Sequence, residues 1–146
     1  MEKNFEEIKK EYDEKTQEEL KKTGIFYAFS NEQFEEYRTH KDIQGKKYFS
    51  IGCGAYIHED DKQKLDNYFN VILPKLKKDF IKKINIDDLI EYELINHECY
   101  YTGNYLEIVE LMENYLESDI TQRNNIIEKI KNVYNKNYKK NMEVFQ

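Results

Sequence analysis

Phe5, Ile8, Tyr12 and Leu20 fall on one helical stripe amid alternating Glu and Lys, and Gly24 follows as a C′ residue, so the spacing predicts an amphipathic helix over residues 4 to 23. Its apolar stripe is thin, which suits a helix at the periphery of the fold. Ile25-Phe26-Tyr27-Ala28-Phe29 is a continuous apolar run, the pattern of a strand buried on both faces. Ser30 ends that run. With Gln33 it has capping-box spacing for a short helix from Asn31 to about Arg38 that buries Phe34 and Tyr37.

After a polar loop around Gly45, residues 47 to 57 read as a second strand or a hairpin. Gly52-Cys53-Gly54 inside that pattern predicts a bulge or a close backbone approach. Asp60 or Asp61 caps the next helix, which holds helical spacing from Leu65 to Ile81 and either kinks or breaks into two at Pro74, the sequence's single proline. Asn85 or Asp87 starts an acidic helix with Leu89, Ile90, Leu94 and Ile95, running into His97. Thr102-Gly103-Asn104 is a turn, and Asn104 with Glu107 starts a helix carrying Leu106, Val109, Leu111 and Met112. Ser118, Asp119 or Thr121 begins the last helix, with Ile126, Ile127, Ile130, Val133 and Tyr134 on its apolar face, before a frayed tail over residues 136 to 146. The class expected is α+β: a two- to three-stranded sheet covered by four to six helices, helix-dominated, in a single domain over residues 1 to 146.

Composition supports a packed core. The chain has 146 residues, and 13 Tyr and 8 Phe carry much of its apolar area. Two cysteines, Cys53 and Cys99, the absence of an N-terminal apolar leader and the absence of any run of about 18 apolar residues lead us to expect a cytoplasmic protein that does not cross a membrane. The basic residues are nearly all Lys, with Arg38 and Arg123 the exceptions, which disfavours a sequence-reading nucleic-acid module. Charge is segregated: residues 62 to 84 hold 7 bases and 2 acids, whereas residues 85 to 119 hold 10 acids and no Lys or Arg.

The densest cluster of functional side chains is His97-Glu98 followed by Tyr100-Tyr101-Thr102-Gly103. In an enzyme, His97 would be general base, Glu98 would orient it and Tyr101 would position substrate; the plainer alternative is a helix C-terminus, where the dipole favours His. A metal would need His40, Cys53, His58, His97 and Cys99 to converge with Asp60 or Asp61, and no ligand spacing marks such a site. No cofactor is expected, and the cysteines read as small buried hydrophobes. Lys75, Lys77, Lys78, Lys82 and Lys83 could touch phosphates or simply solvate a helix face. The base-free stretch instead offers Asp87, Asp88, Glu91, Glu107, Glu110 and Glu113, with Tyr100 and Tyr101 as anchors, to a partner with a basic surface.

Three stretches together resemble a family of small uncharacterised proteins from bacteriophages and gut or oral bacteria: residues 24 to 34 (GIFYAFSNEQF), residues 50 to 54 (SIGCG), and residues 93 to 98 (ELINHE) with Tyr101-Thr102-Gly103. The resemblance implies a phage or mobile-element protein that binds and disables a host nucleic-acid-guided defence complex such as a CRISPR effector, in the bacterial cytoplasm. A small nucleotide- or nucleic-acid-acting enzyme using His97 and Glu98, and an RNA-binding protein using the Lys-rich helices, are the alternatives.

Overall fold

The computed structural model describes residues 3–38, 46–117 and 122–142. It is a helix-dominated α+β chain with a three-stranded antiparallel sheet. The chain divides into two compact units, one comprising residues 10–76 and the other residues 1–9 with 77–146.

The unit of residues 10–76 holds the sheet. Helix α1 (Phe5–Lys21) enters it, followed by β1 (Phe26–Tyr27), α2 (Asn31–Tyr37), β2 (Tyr48–Gly52) and β3 (Ala55–His58), with strand order β1-β3-β2. Ser30 Oγ accepts from the Gln33 amide at 3.2 Å while Gln33 Oε1 accepts from the Phe29 amide at 2.9 Å, so the capping residues act reciprocally as the sequence spacing implies. The apolar run before Ser30 departs from expectation. Only Phe26 and Tyr27 join the ladder, and burial alternates, with Phe26 and Ala28 inside and Tyr27 and Phe29 exposed. The alternation shows that only one face of β1 is covered, the face that carries Phe26 and Ala28.

Phe26, Phe34, Tyr48 and Tyr56 form one aromatic cluster with ring centroids 5.1–5.8 Å apart. The Gly-Cys-Gly segment supplies the expected bulge and, beside it, a tight turn. Pairing shifts between Ser50 and Gly52, which is a bulge, and the two-residue connection Cys53-Gly54 has positive φ at both positions, as a tight hairpin turn of right-handed twist demands. The Phe29 ring occupies the space where a Cβ on Gly54 would stand.

Beyond β3, a 3₁₀ turn (Glu59–Asp61) leads into α3 (Lys62–Asn67), a π-helical turn (Tyr68–Ile72) and α4 (Leu73–Lys83). Pro74 therefore does not end the helix. The Leu73 amide reaches back five residues to the Tyr68 carbonyl, and this widened turn makes room for a proline ring one residue later.

The other unit is helical: α5 (Ile86–Asn96), α6 (Cys99–Thr102), α7 (Leu106–Leu116) and α8 (Arg123–Met142). Leu89, Ile90, Leu94, Ile108, Met112 and Ile130 are its most buried side chains. Leu106, expected on the apolar face of α7, is 57% exposed because it occupies the first helical position, before the buried stripe begins. α8 continues through Met142, so residues 136 to 142, read as frayed, are helical; Asn137 and Asn141 hold carbonyls four residues back at 2.9 Å and support that last stretch. The candidate caps Ser118, Asp119 and Thr121 and the loop at Gly45 lie outside the described residues.

Gly54→Ala is expected to cost about 1–3 kcal/mol, because it forces an L side chain to positive φ and into the Phe29 ring. Gly103→Ala, at φ +73° with open space around it, should cost only about 1 kcal/mol. Urea denaturation of the two variants checks the difference.

Candidate functional site

Asn85 Oδ1 accepts from the Asp87 amide at 2.9 Å and caps α5, and Asp87 and Asp88 fill the first turn, where carboxylates are favoured by the helix dipole. Both are exposed. α5 then rises about 1.5 Å per residue to its far end, so His97 stands about 15 Å from these two aspartates. The expected binding residues are thus spread along the unit rather than gathered at one spot.

His97 caps the C-terminal end of α5, its amide on the Glu93 carbonyl. Its ring is held between two carboxylates: Nε2 lies 3.3 Å from Glu93 Oε2 and Nδ1 lies 3.1 Å from Glu107 Oε2. Glu93 is buried, Glu107 is exposed, and together they tie α5 to α7 through one imidazole. Both nitrogens donate at once only in the imidazolium form. Glu98 does not orient His97. It takes φ +56° as a left-handed corner between α5 and α6, exposed to solvent, and its backbone rather than its carboxylate does the structural work, accepting the amides of Tyr101 and Thr102. Glu93 was the missed partner, and its i, i+4 spacing to His97 on a helix was the available signal.

The corner at Glu98 turns Tyr100 inward. Tyr100 is 3% exposed, so it is no surface anchor, contrary to expectation; the short helix α6 packs it under α5. Its hydroxyl donates to Glu91 Oε2, whose other oxygen accepts from Asn141 Nδ2 at 2.9 Å. Its ring stacks on Tyr134, 5.0 Å between centroids and 8° between planes, and Tyr134 in turn meets Tyr105 and Tyr138. Burial pushes the Tyr100 phenol far above its ordinary range, with the Glu91 carboxylate adding to it, and burial raises Tyr134 as well. Glu91 is therefore committed internally. Tyr101, next in sequence, is 68% exposed.

On α7, Glu107, Glu110 and Asn114 follow one exposed stripe at three- and four-residue steps, with Leu106 beside it, and Glu117, also exposed, ends the helix at φ +49°. Glu110 and Glu117 have no ion-pair partner among the described residues. Glu113 lies off the stripe, half-buried and 3.5 Å from Arg123 Nε. An open groove of about 440 Å³ runs between the end of α7 and the start of α8, lined by Leu116, Asn125, Ile126 and Lys129 among others; His97 is not part of it.

The remaining candidates are scattered, and some of them have structural roles. Lys77 donates to Asn114 and lies 5.8 Å from the Tyr115 ring, while Lys78, Lys82 and Lys83 are exposed. Cys99 is buried and its thiol is pushed up by burial, as a small hydrophobe would be, but Cys53 is exposed because it occupies the hairpin turn. His58 is buried, its Nδ1 accepting from the Asp60 amide at 3.1 Å, which leaves that nitrogen no proton to offer the Asp60 carboxylate 3.7 Å away. Among the described residues no three His, Cys, Asp or Glu side chains gather as a metal site, and no helix is long and apolar enough to cross a membrane; His40 lies outside them.

A family model described as a family of unknown function (DUF7659) matches residues 8–140. No curated protein and no solved structure matches the chain.

His97→Ala is expected to lower stability by about 1–3 kcal/mol, since it leaves the buried Glu93 carboxylate without one of its donors; thermal unfolding beside Glu107→Gln, which removes only the exposed arm, separates the two contacts. A second expectation concerns alkaline pH. Tyr100 and Tyr134 are raised and Tyr12 is pushed up to about 12, whereas an unfolded phenol ionises near 10. The fold therefore binds these protons more tightly than the unfolded chain does. Their contribution is complete below about pH 10 and is lost as pH rises through the folded values. Absorbance at 295 nm should show a group of tyrosines ionising only as far-UV dichroism collapses.

Proposed function

We propose that this chain, which belongs to the family of unknown function DUF7659, is a non-enzymatic binding protein of phage or mobile-element origin that docks on the basic, nucleic-acid-holding surface of a host defence complex. The observation that supports this reading is the exposed acidic set of α7 and its C-terminal end: Glu107 and Glu110 on one face and Glu117 at the cap, in a stretch of the sequence without Lys or Arg. Leu106 and Tyr101, exposed near the start of the stripe, supply the apolar contact that a charged rim needs around it. Carboxylates arranged this way steer and select a cationic partner more than they hold it, so affinity would rest on those two side chains.

The same geometry weighs against an enzyme built on His97. Its two ring nitrogens already lie against carboxylates, and the contacts described for Glu98 are made by its backbone. Direct RNA binding through the exposed lysines of α4 and α8 would be marked by steep salt dependence.

Capture from a host lysate, with and without nuclease, tests the proposal. The wild-type chain should retain one large nucleic-acid-guided effector at near-stoichiometric yield after nuclease treatment. Glu107→Gln/Glu110→Gln/Glu117→Gln should reduce that yield about tenfold or more. Equal yields from both chains would remove α7 from the contact, and recovery of no such effector would overturn the proposal.

A further inference from the structure

His97 joins the acidic set of α7 to the interior of its unit, and its two contacts are unequal. The Glu93 side chain against Nε2 is 7% exposed, whereas the Glu107 side chain against Nδ1 is 78% exposed. An imidazolium donates to both, but a neutral ring has one N–H and one lone pair. Withdrawing a donor from the buried Glu93 carboxylate is costly, while water replaces the donor at Glu107 with little loss. The single proton of the neutral ring therefore stays on Nε2. Nδ1 then turns its lone pair toward a carboxylate oxygen 3.1 Å away, acceptor against acceptor, and that contact opens.

The titratable groups around the ring favour the same division. Glu93 and Glu98 come from α5 and the corner after it, Cys99 of α6 lies with its thiol 4.0 Å from the His97 carbonyl, and Glu107 comes from α7. No Lys or Arg occurs between residues 85 and 119, so α5, α6 and α7 bring no second cation to these carboxylates. Elsewhere in the unit, Lys9 lies over the Tyr92 ring, Lys77 meets Asn114 and Arg123 meets Glu113. α8 turns Tyr134 and Asn141 toward Tyr100 and Glu91.

We infer that His97 is a proton-operated latch on the acidic face of α7: protonated, it holds Glu107 against α5; neutral, it keeps Glu93 and releases Glu107 to a cationic partner. The inference rests on the reading of α7 as a docking face, and it supplies the regulation of that face. A cation that takes Glu107 displaces the Nδ1–H donor, so docking releases a proton. By linkage, affinity rises with pH across the interval in which imidazoles change charge, about pH 5 to 8, and levels off once the ring is neutral.

Two measurements test it. Long-range proton–nitrogen NMR of the free chain, with His97 assigned by its loss in His97→Gln, reads the tautomer as pH rises through about 5 to 8. The neutral ring should carry its proton on Nε2; a proton on Nδ1 would overturn the inference. The second uses a fluorescent oligoarginine peptide, whose charge is constant over this interval, and reads binding by anisotropy at about 0.01 M ionic strength. The wild type should bind it about two- to fivefold more tightly at the upper end of the interval than at the lower. His97→Gln and Glu107→Gln should each lose that gain, and far-UV dichroism confirms that both are folded. A gain of equal size in either variant would overturn the latch and leave the docking face in place. A peptide that binds no form of the chain at either pH would remove the docking face itself, and the latch with it.

Discussion

The helical unit depends on one buried hydroxyl. Tyr100 donates to Glu91 while its ring lies flat on Tyr134, so a single side chain joins α5, α6 and α8. A phenol brought into a core without a partner would cost on the order of 1–3 kcal/mol, and Glu91 removes that cost while Asn141 occupies the carboxylate's other oxygen. The left-handed corner at Glu98 and the one-turn helix behind it exist in the geometry that this placement needs. Cys99 and Tyr100 fill the buried side of α6, and Tyr101, the next position, is turned to solvent.

Much of the fold was legible because its signals are local. Ser30 with Gln33, Asn85 before Asp87, and the turn at Gly103 act through neighbours within four residues, and periodicity alone identified Leu89, Ile90, Leu94, Val109, Met112, Ile126, Ile130 and Val133 as core. Two of the misreadings share a different cause. Whether Tyr27 and Phe29 are buried depends on whether anything packs on the second face of the sheet, and whether Tyr100 is a surface anchor depends on what α8 places opposite it. Neither is encoded within a window of ten residues.

The candidate site shows the same division. The base-free stretch identified the right segment of chain, but its carboxylates differ in what they do: Asp87 and Asp88 serve a helix start, Glu91 and Glu93 serve the interior, and Glu107, Glu110 and Glu117 are presented to solvent. Counting charge finds the segment. Only packing sorts its members, since a carboxylate's role is set by whether a hydroxyl, an imidazole or water reaches it first.

The widened turn before Pro74 also bears on how this chain tolerates changes in length. A π turn contains one residue more than an α turn, and here that extra residue lets Leu73 pair with Tyr68 while the proline ring avoids an upstream carbonyl. Deleting one exposed residue there, such as Asn70, would restore plain α spacing and drive the ring into the carbonyl four residues back. Replacing Pro74 alone would leave a widened turn with nothing to accommodate. The extra residue and the proline therefore act as one structural unit, and a change of length in this helix is tolerated only where both are kept or both are removed.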